Sequence, residues 1–395
     1  MRRRLIMKLL SYQTLFAACH FCSDINQSAL AAVLPFLIAA HHYDYTTAAM
    51  LVMASNIIGS LIQPLLGTLS DKHSWPWIMP LGLLLAGGGM ALTGVISNFY
   101  LLCLVTMVSG IGVAMFHPQC ALLVNRVSTE TNRGISLSVF SFGGNMGFTF
   151  GPLLIGSSIL FFGLPGTLVF FIPEILIVSI LLYLYPTLKT ISARPKQMKS
   201  NNPQKTTAIP DQWSSFYKLS FVVIGRSIIF YGVNTFLVLY LVQHFTLSEG
   251  TSNLMLSLYY GIGAISTLLG GKLGDKYGYR RMAQIAFSLF FPAILLFSFT
   301  SQAYLAIPAL LVMGSAICLS YSPLVVLGQQ YLPNQVGLAS GITLGLAVSI
   351  GGITAPLLGK IADLWGLSST FLLISALSLL PLAMTFFLSK PVARD

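Results

Sequence analysis

Apolar residues run along this chain in long blocks, and the breaks between blocks fall at Gly, Pro or charged positions. A helix needs about 20 mostly apolar residues to cross the hydrocarbon of a bilayer. Twelve blocks meet that length, over 12–40, 47–69, 76–96, 99–125, 133–162, 165–187, 216–244, 250–271, 282–301, 303–331, 336–362 and 367–389. They are continuously apolar, whereas barrel strands alternate over about ten residues, so helices are predicted throughout. The fold class is all-α integral membrane, with twelve transmembrane helices.

Two motifs recur at one spacing. Gly67-Thr68-Leu69-Ser70-Asp71-Lys72 returns 204 positions later as Gly271-Lys272-Leu273-Gly274-Asp275-Lys276, and Pro152-Leu153-Leu154 returns at the same offset as Pro356-Leu357-Leu358. A repeat of this length in an apolar chain predicts two pseudo-symmetric six-helix bundles, 1–187 and 216–395. Between them, 188–215 is the one long polar connection, with Lys189, Arg194, Lys196, Lys199 and Lys205 against Asp211 and with Pro195, Pro203 and Pro210 interspersed. That composition suits a cytoplasmic tether. Glycines crowd the fifth block (Gly143, Gly144, Gly147, Gly151, Gly156) and its repeat counterpart, the eleventh, and are expected where the two halves meet closely.

Composition excludes a water-soluble protein. Of 395 residues 55% are hydrophobic and 8% charged, with a mean hydropathy of +0.81, which leaves too little polar surface to face water. The formal charge of +11 would suggest nucleic acid in a soluble chain. Here the basic residues sort by loop, at Arg2–Arg4, Lys72, Arg126, Arg133, the tether, Lys272–Arg281 and Lys390 with Arg394, while the opposite connections hold none apart from Lys360. The positive-inside rule then sets both termini in the cytoplasm. The connection between blocks ten and eleven, on the same side, has no basic residue. No nucleic acid partner is expected, and the chain reads as a monomer among membrane lipids.

Cys19, Cys22, Cys103, Cys120 and Cys318 all fall inside blocks, and an odd number in lipid is no disulfide framework. A lipoprotein signal ending at Cys19 is set aside because the apolar block continues past it.

Ionisable side chains in hydrocarbon cost several kcal/mol unless they meet a partner or a cavity, so those inside blocks are the functional candidates. They are His20, Asp24, His117, Glu174 and Arg226. At about 100° per residue, His20, Asp24 and Gln27 lie within about 60° of one another on one helix face, with Cys19 and Cys22 on the other. This separation argues against a metal site from that segment's four ligand-type residues; a site from His20, Asp24 and His117 stays open, but intramembrane polar residues more often serve solute or proton paths, and no metal is expected. A His one turn from a carboxylate suits proton exchange instead. Pro118 leaves a carbonyl without its usual donor beside His117. On block seven, Arg226, Phe230 and Asn234 repeat every four residues beside Tyr231, and the Arg either pairs with an acid, Glu174 or Asp24, or binds an anionic solute. Tyr259, Tyr260, Gln329 and Gln330 add uncharged hydrogen-bonding capacity. No phosphate-binding loop, nucleophile elbow or His-Glu-x-x-His appears, so neither an enzyme nor an ATP-driven pump is expected, and no cofactor.

The Gly-x-Leu-x-Asp-Lys elements in a duplicated twelve-block chain resemble the signature loops of the major facilitator superfamily. The second continues as Tyr277-Gly278-Tyr279-Arg280-Arg281, while the first, with His73-Ser74-Trp75, lacks the basic pair. The resemblance implies gating roles for Asp71, Lys72, Asp275, Lys276, Arg280 and Arg281. The chain is most similar to the fosmidomycin-resistance group of bacterial efflux transporters, through His20, Asp24 and Gln27-Ser28, through Gln63-Pro64, Gly67, Asp71-Lys72 and Pro76-Trp77, through Phe116-His117-Pro118, Gly143-Gly144-Asn145, Gly151-Pro152 and Leu332-Pro333. That group places acids where this chain has Gln119 and Gln330.

The expectation is a secondary transporter of a bacterial inner membrane that exports a small organic solute in exchange for protons by alternating access. Asp24, His20 and Glu174 would carry the coupling proton; Gln27, His117, Gln119, Asn145, Arg226, Tyr231, Asn234, Tyr260 and Gln330 would contact solute. Two alternatives stay open: a proton-coupled importer of a solute such as a siderophore or metal chelate, and a non-transporting sensor on a transporter scaffold.

Overall fold

The computed structural model describes residues 12–72, 75–128, 133–192, 210–335, 338–339, 342–343 and 347–391. Every regular element among them is helical. In chain order these are α1 (Tyr12–His41), α2 (Tyr45–Lys72), α3 (Ile78–Leu92), α4 (Phe99–Val127), α5 (Arg133–Phe162), a 3-10 segment Leu164–Phe170 leading into α6 (Phe171–Tyr183), and α7 (Tyr185–Ser192). The second half holds α8 (Trp213–His244), α9 (Glu249–Tyr277), α10 (Tyr279–Phe299), α11 (Ala303–Leu319), α12 (Tyr321–Tyr331) and α13 (Ala347–Phe386).

Nine helical stretches among the described residues are long and apolar enough to cross a membrane, and Tyr45–Gly59 and Ile78–Leu92 are shorter apolar helices. The last of the nine, Ile350–Phe386, turns at Gly366, whose φ of 81° ends one helix and starts another. It thus contributes two segments, and the twelve predicted blocks are all represented. The positive φ favours glycine there because a Cβ would be strained.

Helix ends are set by local chemistry. Asn98 caps α4 by accepting the Leu101 N–H at 3.1 Å, and Ser248 caps α9 by accepting that of Thr251 at 3.2 Å. Both satisfy amides that the helix itself leaves without partners. Gly278, at φ 91°, closes α9 before α10 begins.

The chain divides into two compact units, residues 1–42 with 54–201 and residues 43–53 with 202–395. In the first unit α1 packs chiefly on α5 and α3 on α4; in the second α8 packs chiefly on α13. The pairs α1·α5 and α8·α13 are repeat counterparts, as a duplication requires. The glycines of α5 serve the packing onto α1: a Cβ on Gly143 would fall 2.1 Å from the Ala17 carbonyl oxygen, and one on Gly147 would fall 2.6 Å from that of Phe21. Part of the fifth block's glycine content is thus explained inside one unit. Cys19, Cys22 and Cys120 sit in the apolar core of this unit with Phe16, Phe116 and Leu123. All five cysteines are free thiols. The tether is helical through Ser192; its described far end, 210–212, is not helical, and there Asp211 accepts from the Asn334 N–H at 3.1 Å. The basic tether residues Arg194–Lys205 lie outside the described residues.

Candidate functional site

In the first unit, the helical period of α1 turns Cys19 and Cys22 into the core and leaves His20 and Asp24 on the other side. His20 Nε2 lies 3.2 Å from Asp24 Oδ2. His117, from α4, brings its Nε2 to 3.4 Å from Asp24 Oδ1. The carboxylate therefore sits between two imidazoles from two helices. Its Oδ1 is buried and receives no well-aligned hydrogen bond.

The tautomer of His20 follows from its other nitrogen. Nδ1 lies 2.8 Å from the Phe140 carbonyl oxygen on α5, and a carbonyl can only accept, so Nδ1 carries a proton. Nε2 then faces Asp24 either as a second N–H, making an ion pair, or as a lone pair that needs the acid's own proton. In both cases one proton belongs between them. The ring is held flat against Phe140, centroids 4.0 Å apart, and meets His117 edge-on at 5.1 Å. Side-chain exposures of 13% for His20 and 21% for His117 leave the cluster open to a small extent, while Asp24 is at 7%.

The ligating atoms of these three residues lie within 4.8 Å of one another, a spacing that would also admit a divalent cation. The nitrogens already stand at hydrogen-bonding or ion-pairing separation from the carboxylate, so a proton suffices to account for the geometry.

Behind this cluster Glu174 of α6 is fully buried. Its Oε1 accepts from Asn26 Nδ2, which also donates to the Cys22 carbonyl at 2.8 Å, and its Oε2 has no donor. Asn26 was not foreseen as a partner, since it lies on the cysteine face of α1, away from the polar stripe. Gln27 and Asn145 are partly exposed and Gln119 is buried.

The second unit presents a separate polar cluster. Arg226 of α8 spends its Nε on the Ile317 carbonyl at 3.1 Å and on Ser320 Oγ at 3.0 Å. Its guanidinium carbon lies 5.0 Å from the Tyr321 ring centroid and 5.6 Å from that of Phe230. No acid pairs with it among the described residues; Asp24 and Glu174, the partners envisaged from sequence, are engaged with His20, His117 and Asn26. Its Nη groups have no protein acceptor among those residues, and Tyr321 is 41% exposed. Tyr231, Tyr259 and Cys318 lie within electrostatic range of this charge. Asn234 and Tyr260 approach each other side chain to side chain, and Asn234 Oδ1 is buried without a donor. Gln330 is exposed, near the end of α12. Tyr321 and Ser320 were missed because their sequence signal, a Ser-Tyr pair in an apolar stretch, resembles ordinary packing.

Among the gating candidates, Asp275 accepts from the Tyr279 hydroxyl across Gly278. Arg280 donates to the Phe386 carbonyl at 2.9 Å, at the end of α13 where carbonyls lack helical donors, and Lys276 Nζ sits 5.0 Å from the Tyr277 ring centroid. Arg281 is exposed. The side chains of Asp71 and Lys72, which end α2, lie outside the described set.

The Major Facilitator Superfamily pattern matches residues 16–356 and again residues 219–395. The chain belongs to the major facilitator superfamily. It is 26% identical over 380 residues to the Fosmidomycin resistance protein of Escherichia coli strain K12, spanning 95% of this chain and 92% of that one. With the Probable hexose phosphate transport protein of Chlamydia muridarum it shares 25% identity over 400 residues, 90% of this chain and 85% of the other. Among solved structures, a bacterial homologue of the human lysosomal transporter Spinster, inward-facing and occupied, matches with a TM-score of 0.78 over 96% of both chains at 15% identity, a likeness of fold. This facilitator is thus a multi-pass membrane protein of a transporter family, and not an enzyme.

Proposed function

We propose that this facilitator exports a small anionic organic solute across the bacterial inner membrane in exchange for protons, by alternating access between its two six-helix halves, with both termini in the cytoplasm. The observation that carries the reading is Asp24 held between His20 Nε2 and His117 Nε2, inside spanning helices. With one proton on the His20–Asp24 pair and a neutral His117, the cluster carries no net charge. Removing that proton leaves a net negative charge in a low-dielectric site, at a cost of several kcal/mol unless another change compensates. Loss of the proton is therefore tied to a change of environment, which is what coupling demands. The cluster titrates as a unit rather than as three separate groups.

Arg226 supplies the solute contact. A guanidinium whose Nη donors face no protein acid, lying over an accessible ring, suits a carboxylate or phosphate oxyanion bound through its planar fork. One relative bears the name of such a solute, hexose phosphate. His117, Gln27, Gln119, Asn145, Tyr231, Asn234, Tyr260 and Gln330 are proposed as the uncharged remainder of the solute path. Glu174 is a second proton carrier of the reading, and Asp71, Lys72, Asp275, Lys276, Arg280 and Arg281 are its gating groups.

The test is flux of labelled organic phosphates, phosphonates and carboxylates in vesicles under an imposed pH gradient, with a chelator present so that adventitious metal plays no part. Export-direction flux that follows the gradient and is lost in Asp24→Asn supports the reading. Flux indifferent to the gradient, or an Asp24→Asn variant that transports normally, overturns the coupling. Accumulation in the uptake direction would assign import instead.

A further inference from the structure

Residues 43–53 open α2, yet they belong with the C-terminal unit, while α2 continues into the other unit from Ala54. The reason is chemical. Asp363, on α13 just before the turn at Gly366, accepts the Tyr45 N–H with Oδ1 at 2.7 Å and the Thr46 N–H with Oδ2 at 3.0 Å. It also accepts the Thr46 hydroxyl. Two of the amides that a helix start leaves unsatisfied are thus taken by a carboxylate from more than 300 residues away in sequence, at the positive end of the helix dipole.

Neighbouring contacts tighten the grip. The Tyr45 hydroxyl donates to Gln243 Oε1 of α8 at 2.8 Å. One turn before Asp363, Gly359 brings the two backbones together: a Cβ there would fall 2.8 Å from the Tyr45 carbonyl oxygen and 2.9 Å from the Thr46 Cα.

The duplication supplies an internal control. Asp44 caps α2 through the Thr47 N–H at 2.7 Å, and 204 positions later Ser248 caps α9 through the Thr251 N–H at 3.2 Å, so the self-capping device is repeated. The distant carboxylate is not. The position matching Asp363 in the first repeat is Ile159, a buried apolar residue. An acid present in one repeat and absent in the other is not needed to build the repeat's fold.

We infer that Asp363 is a gate residue of the transport cycle: its hydrogen bonds hold the first turn of α2 against α13, and they must break for that turn to move away during the cycle. The inference rests on the alternating-access reading but not on the identity of the solute or of the coupling ion. Opening exchanges the Asp363 contacts of the Tyr45 and Thr46 amides for water, a reversible step for groups already exposed.

The test places spin labels at Met50 and Trp365, both exposed, in a background with Cys103 and Cys318 replaced by Ser, and measures their distance distribution in the purified full-length protein without solute. Wild type is expected to be dominated by one short distance. Asp363→Ala is expected to populate a second, longer distance as the major component, and Tyr45→Phe, which removes only the Gln243 contact, a smaller share of that same distance. A helix cap with no gating role would lower the melting temperature of Asp363→Ala and leave its distances at the wild-type values. That result overturns the inference, and so does an unshifted distribution in Tyr45→Phe should Asp363→Ala fail to fold. Because no solute or pH gradient enters the measurement, either outcome is independent of whether flux proves proton-coupled.

Discussion

Gly144 of α5 faces Asp24 of α1 so closely that the Cβ it lacks would lie 2.6 Å from Asp24 Oδ2 and 2.5 Å from His20 Cε1. Real Cβ contacts do not come so near. The His–carboxylate pair therefore occupies room that only a glycine on the facing helix leaves open. Gly144→Ala is expected to part His20 from Asp24 and to reduce gradient-driven flux by about tenfold or more, with a stability loss of about 1–3 kcal/mol, the usual cost of overpacking. Flux in vesicles and thermal melting of the same preparation check both.

Arg226→Lys keeps the charge but removes the planar fork that stacks on Tyr321 while donating through Nε to Ile317 and Ser320. Lysine offers a flexible point charge instead. The affinity for an anionic solute should fall about tenfold, which is about 1.4 kcal/mol, and Arg226→Gln should fall further. Calorimetric titration with a transported anion checks this; a Lys variant binding as tightly as wild type would remove Arg226 from the solute site.

Asn26 Nδ2 donates to Glu174 Oε1 in a fully buried contact. Glu174→Gln preserves the oxygen that Asn26 reaches, and is expected to fold with little change in melting temperature while lowering the number of protons moved per solute. Glu174→Ala takes that acceptor away and opens a void beside Gly87, whose missing Cβ would lie 2.1 Å from Glu174 Cγ. It should cost about 1–3 kcal/mol, the range for a buried group deprived of its partner. Melting curves of the two variants separate structure from coupling.

Asp44 gives a pH signature outside the membrane. The Thr47 hydroxyl and then the Thr47 backbone N–H donate to its carboxylate and hold it below the usual carboxylate range. A group whose folded value is depressed stabilises the fold above its unfolded value, about 3.9, and loses that contribution as pH falls through the folded one. Asp44→Ala should therefore cost about 0.5–2 kcal/mol at pH 7, the range for an N-cap, nearer the low end because the residue is exposed. The difference from wild type should shrink on acidification below about pH 4. Melting temperatures of both proteins at pH 7 and pH 3 check the sign.

The pairing of His20 with Asp24 was legible from a helical period alone, because residues four apart on α1 must share a face. The same arithmetic put Cys19 and Cys22 on the opposite face, where they join the core. Asn26 escaped that reasoning because its importance comes from Glu174, 148 residues away on another helix. Arg226 was conspicuous as a charge in an apolar run, but sequence left open whether an acid neutralises it. Asp363 drew no notice, being one acid near the end of a predicted block, and only its contact with the start of α2 gives it a role.

What the chain's letters determined unaided is what the bilayer enforces on every segment separately. Water is absent from hydrocarbon, so each spanning block must be apolar and must satisfy its own backbone as a helix, and duplication repeats the plan. The tertiary structure alone decided which helix supplies the partner for each costly polar group: Phe140 for His20, His117 for Asp24, Asn26 for Glu174, Asp363 for the amides of Tyr45 and Thr46. Backbone hydrogen bonding within a helix is local and shows in composition and period, whereas side-chain pairing between helices depends on their rotation and depth, which no single block specifies.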